Sequence, residues 1–326
     1  MARSGEQGRV PAANRPRPDD YAFDLDRALS AVVALRARVP EDAYTAGTLG
    51  TERTGSAVLI NDSGLLLTIG YLITEAEEIW LTAVSGRVVP GHVLGFDNAS
   101  GFGLVQALGR LDLPPLPRGD SRALKVGEPV VLAGAGGRDG ALAGRVVARQ
   151  EFAGYWEYLV DEAIFTAPCH PHWGGTALIG PAGELLGIGS LQLMQEAGEG
   201  RPMPINMVVP IDLLEPVLPD ILAAGRVQTP PRPWLGLFAA EDDGRVVVAG
   251  LAGDGPARRA GLRVGDAILA VGNNAVTDLA GLFRRTWELG AAGVEVPLTL
   301  NRDGDTFSMR VTSGDRQRFL KAPSLH

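Results

Sequence analysis

The sequence predicts a mostly β chain in two parts: a larger barrel- or sandwich-type domain, then a smaller α+β domain. Three observations predict it. With 43 Gly and 23 Pro among 326 residues the chain is turn-rich, which favours many short strands over long helices. Short apolar stretches recur between Gly, Asn and Asp turns from residue 25 to 210. The Pro-rich stretch Gln228–Pro233 then separates this pattern from another in which strands and helices alternate.

Taken in order, residues 1–24 are charged, Pro-rich and without periodicity, so a disordered tail is expected. The first hairpin is read at Ala57–Ile60 and Leu65–Thr68 around the turn Asn61–Gly64. Further strands are expected at Ile79–Leu81, Val88–Val89, Val130–Leu132 and Leu185–Ile188. A helix is expected after Pro210, with Asp212 as N-cap, Gly225 as stop, and Pro216 and Pro219 splitting or kinking it. Beyond a linker at 223–233, residues 234–320 read as two strands, a short helix from Pro256, a strand at Ala267–Val271, a helix from Asp278 to Gly290 and a last strand pair around Asp303-Gly304. Residues 321–326 are a short tail.

Composition excludes several classes. The net charge is -8, from 30 Lys+Arg against 38 Asp+Glu, without a long basic run, so neither nucleic acid nor an anionic membrane is expected as a partner. One cysteine, Cys169, permits no intrachain disulfide. The polar N-terminus lacks the apolar core of a signal peptide, and no stretch approaches the ~20 apolar residues of a membrane span. A cytoplasmic location is expected on these grounds.

Ordered motifs then narrow the fold. Gly55–Ile60 with Leu67-Thr68, Leu116–Ser121 followed by Leu124–Glu128, Val209–Leu214 through Gly225–Val227 to Trp234–Leu237, and Pro256-Ala257, Ala260–Leu262, Val264–Asp266, Ile268-Leu269 and Asn273 stand in sequence along the chain. Together they resemble the HtrA/Deg family. The resemblance implies a chymotrypsin-like double β-barrel at residues 25–222 followed by a C-terminal PDZ domain (α+β) at 234–320.

The residues that would carry catalysis depart from that family. The general-base His is replaced by Tyr71 in Thr68–Ile73, the orienting Asp by Gly101 after Asp97–Ser100, and the nucleophilic Ser by Trp173 in Cys169–Leu178. A phenol with a pKa near ~10 is a poor base at neutral pH, a glycine orients nothing, and an indole has no nucleophilic oxygen. The oxyanion hole needs backbone N–H groups at Trp173 and two residues before it, and Pro171 has none. Losing one such donor costs ~3 kcal/mol of transition-state stabilisation.

Other constellations are weaker. Cys169 and His170 are the parts of a thiol nucleophile pair, but adjacent residues seldom place their side chains in mutual hydrogen-bond geometry. Cys169, His170, His172 and His92 are metal-ligand types without a second ligand pair, so no metal and no cofactor is expected. Val131–Gly137 imitates a dinucleotide fingerprint but is followed by strand-like Ala143–Val147. Trp173 and Tyr71 are expected to pack in the old cleft.

The resemblance also implies a peptide site in the second domain. Backbone N–H groups of Trp234-Leu235-Gly236-Leu237 would hold a peptide's terminal carboxylate, with Leu282, Phe283 and Thr286 lining the groove and Arg232 or Arg258 attracting the charge. The expected function is a catalytically inactive protein that binds C-terminal or extended peptide segments, as an adaptor or regulatory subunit. Alternatives are an active serine-type or Cys169-dependent endopeptidase with displaced catalytic residues, and a structural subunit of a larger complex. A homo-oligomer, a trimer through Tyr21 and Phe23, or a hetero-complex is implied as well.

Overall fold

A computed structural model of the chain describes residues 9–197 and 201–321. The chain divides into two compact units, residues 1–150 with 162–227 and residues 151–161 with 228–321.

The first unit is built on two closed barrels. Strands β1 (Val32–Arg38), β2 (Glu52–Leu59), β3 (Leu65–Ile69), β4 (Glu78–Thr82), β5 (Val88–Phe96) and β6 (Phe102–Ala107) close in the order β1-β2-β3-β6-β5-β4. Closure comes from β1, which pairs with β2 on one side and β4 on the other. The β2–β3 turn forms as its residue types predict: the Asn61 side chain accepts from the Ser63 and Leu65 N–H groups at 3.0 Å each. Leu35, Val58, Leu66, Leu67 and Leu104 are buried on its strands.

The second barrel takes β7 (Pro129–Ala133), β8 (Ala141–Gly154), β9 (Tyr158–Ala167), β10 (Ala177–Ile179), β11 (Leu185–Ala197) and β12 (Arg201–Pro210), in the order β10-β11-β12-β9-β8-β7. Its core joins Val130, Leu132, Leu142, Ile164, Leu178, Leu186 and Val208 with a residue from the expected tail, Val10. Residues 1–8 of that tail lie outside the described residues, but from Arg9 onward it is ordered. Val10 is fully buried, its N–H donates to the Asp139 carbonyl at 3.0 Å, and Arg15 donates back to the Val10 carbonyl. A single apolar residue in a polar run has no periodicity, yet burying it contributes about 1.5–3 kcal/mol. Helix α1 (Leu25–Ser30), capped by the Asp24 carboxylate, leads into β1, and the short α2 (Ala46–Leu49) precedes β2.

The helix expected after Pro210 is split, as its prolines predict. A 3-10 turn spans Ile211–Leu213, and α3 runs only over Leu218–Ala224, ending at Gly225 in the left-handed region. Asp212 does not cap it; its carboxylate accepts the Ser121 hydroxyl instead.

The second unit is a sheet of β13 (Leu237–Asp242), β14 (Arg245–Leu251), β15 (Ala267–Val271), β17 (Glu295–Arg302) and β18 (Asp305–Thr312), in that order, with the short β16 (Asn274–Ala275) beside β15. Helices α4 (Pro256–Ala260) and α5 (Leu279–Glu288) cover it. The start of α5 was legible: the Asp278 side chain accepts the Gly281 N–H at 2.6 Å. The unit also takes the distal end of the β8–β9 hairpin, which sequence reading assigned to the barrel domain. Among the described residues no helix is long and apolar enough to cross a membrane.

Candidate functional site

Tyr71 sits on the 3-10 turn Gly70–Leu72 that follows β3. The turn is pinned from below by Arg53, which is 4% exposed and donates to the Tyr71 carbonyl at 2.8 Å, the Thr74 carbonyl at 2.9 Å and the Thr45 hydroxyl at 2.8 Å. The buried Glu75 carboxylate accepts the Tyr44 and Thr45 N–H groups and is close enough to act electrostatically on Arg53. A buried cation kept beside a carboxylate and three acceptors is satisfied rather than reactive. Sequence reading missed both residues, since neither lies in an apolar pattern.

The Tyr71 hydroxyl donates to the Ser190 carbonyl at 2.8 Å, and the Trp173 side chain is close enough to favour the ionised form slightly. The residue expected at the base position thus has its hydroxyl committed to a backbone carbonyl. Burial drives the phenol well above its ordinary pKa, so it remains protonated. At the acid position, Gly101 takes a positive φ of 85° and its carbonyl accepts the Gly70 N–H at 2.6 Å. Asp97 is four residues away, and its carboxylate is occupied by the Ala99 and Ser100 N–H groups of its own turn. No carboxylate is aimed at Tyr71 by these contacts.

The loop carrying Cys169, His170 and Trp173 is organised by Asn206, which is fully buried on β12. Its amide donates to the Thr166 carbonyl and hydroxyl and to the Pro168 carbonyl, and its oxygen accepts the His170 N–H at 2.8 Å. The Cys169 thiol points to that same oxygen at 3.4 Å, and burial pushes its pKa up to about 11. His170 has one ring nitrogen on the Gly140 carbonyl at 2.9 Å and accepts the His172 N–H on the other at 3.0 Å. Burial lowers its pKa, which favours the neutral ring that these two contacts require. The thiol and imidazole are therefore adjacent in sequence but not paired. Among the described residues no three His, Cys, Asp or Glu side chains converge as metal ligands.

In the second unit, the loop before β13 has the geometry of an anion cradle. Gly236 adopts φ 73°, and an added Cβ would lie 3.1 Å from the Trp234 ring and 3.2 Å from Gly255, so only glycine fits there. Trp234 is held to Gly314 by reciprocal backbone hydrogen bonds and its ring rests on Phe319. The next three N–H groups converge on one carboxylate, that of Glu157: Leu235 at 2.9 Å, Gly236 at 2.7 Å and Leu237 at 3.1 Å. Burial pushes the Glu157 carboxyl up to about 7, against these three donors and the nearby charge of Arg316.

The groove residues expected on α5 behave differently from one another. Leu282 and Phe283 join Leu235 and Leu237 in one apolar core. Thr286 turns its hydroxyl to the Leu282 carbonyl of its own helix at 2.8 Å. The two expected arginines serve elsewhere, Arg232 over the Trp287 ring at 4.2 Å and Arg258 on the Leu251 and Ala252 carbonyls. Glu157 and Arg316 were missed. The only sequence signal for Glu157 was an acidic residue set among the aromatics Tyr155, Trp156 and Tyr158.

Residues 55–188 match the family model described as a trypsin-like peptidase domain, and residues 233–312 match that of a PDZ domain. A relative from Pseudomonas fluorescens, named a probable periplasmic serine endoprotease DegP-like, is 29% identical over 80% of this chain and 56% of its own length. The chain thus spans little more than half of such DegP-like relatives. The serine endoprotease DegS of Escherichia coli is 24% identical over 90% of this chain and 86% of its own. Among solved structures, the serine endoprotease from Yersinia pestis is 27% identical over 89% of this chain and 95% of its own, with a TM-score of 0.51. The HtrA-type protease AlgW with a decapeptide superposes with a TM-score of 0.54 over 92% of this chain and 98% of its own; at 23% identity it speaks for the fold alone. The relatives' names overturn the cytoplasmic expectation, since the DegP-like ones are called periplasmic. A lone thiol and a polar first stretch require no reducing compartment, so they were no guide to location.

Proposed function

Because this chain belongs to the HtrA-type family, with a trypsin-like peptidase domain joined to a PDZ domain, we propose that it is a non-hydrolysing member that binds segments of other proteins. It acts as an adaptor or regulatory subunit, and its relatives' names favour the periplasm as its compartment. The observation that carries this reading is the side chain at the base position: Tyr71 is a phenol held protonated by burial with its hydroxyl committed to the Ser190 carbonyl, while an indole, Trp173, stands at the nucleophile position. Gly101 and Pro171 remove the orienting acid and one oxyanion donor as well. Peptide binding does not need those groups. It draws on the backbone cradle of Leu235–Leu237 and the apolar residues behind it, and a carboxyl-terminal peptide is the ligand that such a cradle suits.

The relatives are named serine endoproteases, and that favours a second reading, hydrolysis by groups other than these. Casein cleavage and fluorophosphonate labelling of the purified chain decide between the two. Neither signal is expected from folded protein. Labelling that survives Cys169→Ser would return the chain to the active serine proteases; cleavage lost with Cys169→Ser would assign a thiol enzyme.

A further inference from the structure

The anion cradle of the second unit has an occupant from the same chain, and three contacts give that occupant the form of a bound peptide. Glu157 fills the cradle with its carboxylate, taking all three N–H groups of Leu235, Gly236 and Leu237. Two residues earlier, the Tyr155 carbonyl accepts the Ala239 N–H at 2.8 Å. Strand β13 is an edge strand, paired with β14 on one side only, so this hydrogen bond lies along its open edge, where an added strand would pair. Two residues after Glu157, Leu159 is 9% exposed and belongs to the same apolar core as Leu237, Leu279, Leu282 and Phe283. Glu157 itself holds a positive φ of 59°, a conformation uncommon away from glycine, which turns the chain at the cradle. The base of the segment is bracketed by Arg284 of α5, which bonds to both Glu151 and Asp161.

We propose that Tyr155–Leu159 is a built-in ligand that closes the peptide site of this chain, so that a partner's carboxyl-terminal segment binds only by displacing Glu157. The inference rests on the reading of the second domain as a peptide binder. It narrows the ligand to an extended segment with a free terminal carboxylate, which replaces Glu157, and an apolar last side chain, which replaces Leu159. Competition by an internal carboxylate lowers the apparent affinity in proportion to the open fraction. It also makes the site selective, because a ligand without a carboxylate offers only a neutral carbonyl to the three N–H groups and recovers less than it displaces.

The test uses the full chain, a fluorescent decapeptide ending in Leu with a free carboxylate, and the same peptide as its C-terminal amide. Glu157→Ala is expected to bind the carboxylate peptide at least about ten-fold more tightly than the unaltered chain, with the amide binding weakly to both. Amide hydrogen exchange without peptide is expected to show Leu235–Leu237 protected in the unaltered chain and released in Glu157→Ala. Equal affinity of the two chains for the carboxylate peptide would overturn the built-in ligand and leave peptide binding standing. Binding by neither chain, with those amides released in the variant, would overturn both. Glu157→Gln, which keeps the side chain's length, replaces Glu157→Ala if circular dichroism shows that the alanine variant is unfolded.

Discussion

The barrel cleft and the loop before β13 are both places where chemistry would be expected, and on the proposed reading each is out of service in a different way. On the reading proposed above, the cleft lacks its reactive groups: Tyr71 and Trp173 stand at the base and nucleophile positions, and the Tyr71 hydroxyl is committed to the Ser190 carbonyl. In the loop the working groups, three backbone N–H donors, are all present and are covered by Glu157. The first change is written into side chains and no ligand reverses it. The second is an occupancy, open to mass action by a competing carboxylate. Chemistry carried by side chains is lost by substitution; chemistry carried by backbone N–H groups is lost by covering them or, as at Pro171, by a residue that has no N–H.

The sharpest way to break that contrast is to rebuild the cleft. Tyr71→His, Gly101→Asp and Trp173→Ser together restore the side chains but leave Pro171 without an N–H. Adding Pro171→Gly is expected to raise fluorophosphonate labelling and casein cleavage by about 10²–10³-fold over the triple variant. Equal rates would show that Pro171 is not the barrier. Next in size, Asn206→Leu leaves the Thr166, Pro168 and His170 backbone groups without their partner inside the barrel, and should destabilise it by about 3 kcal/mol, read as a fall in Tm. That would establish that the nucleophile-position loop is held by structure rather than poised for a reaction.

The covered site should respond to pH where the cleft does not. The Glu157 carboxyl is raised from its ordinary 4.5 to about 7 by burial, with Arg316 the charge opposing the shift. A released Glu157 binds fewer protons than a covered one across this interval. The covered form is therefore fully favoured below the ordinary value, loses ground as pH rises toward 7, and is level above it. The shift corresponds to roughly 3 kcal/mol at most. Exchange of the Leu235–Leu237 amides should quicken over that window beyond its intrinsic pH dependence, and the extra quickening should vanish in Glu157→Gln. The smallest effect belongs to Tyr71→Phe. It removes the donor to the Ser190 carbonyl and should cost about 1 kcal/mol in thermal unfolding while leaving peptide affinity unchanged.

Local chemistry was legible and distant pairing was not. The Asn61 turn, the Asp278 cap, the break at Pro216 and Pro219 and the glycine of the cradle all follow from the few residues around them. Tyr71, Gly101 and Trp173 were named from the neighbouring motifs alone. Glu157 could not, for its partners lie 78 to 80 residues further along the chain, and nothing in the intervening sequence records the contact. Val10 escaped for the same reason: its burial depends on Asp139 and a barrel mouth, not on its neighbours. Arg232 and Arg258 were plausible by proximity in sequence, and each proved to have nearer acceptors or a ring to cover.

The membership of residues 151–161 in the second unit means that this unit has no single point of attachment in the sequence. A gene fragment beginning at the Pro-rich stretch would encode its sheet and helices but not Leu159, and would leave uncovered the apolar surface that Leu159 packs on. Losing the burial of one such side chain costs about 1.5–3 kcal/mol, a sizeable part of what holds a small domain together. Recombination that moved residues 228–321 to another protein would deliver a weakened fold with its cradle bare. The part of the chain that reads as the most portable is thus complete only together with the hairpin at residues 151–161.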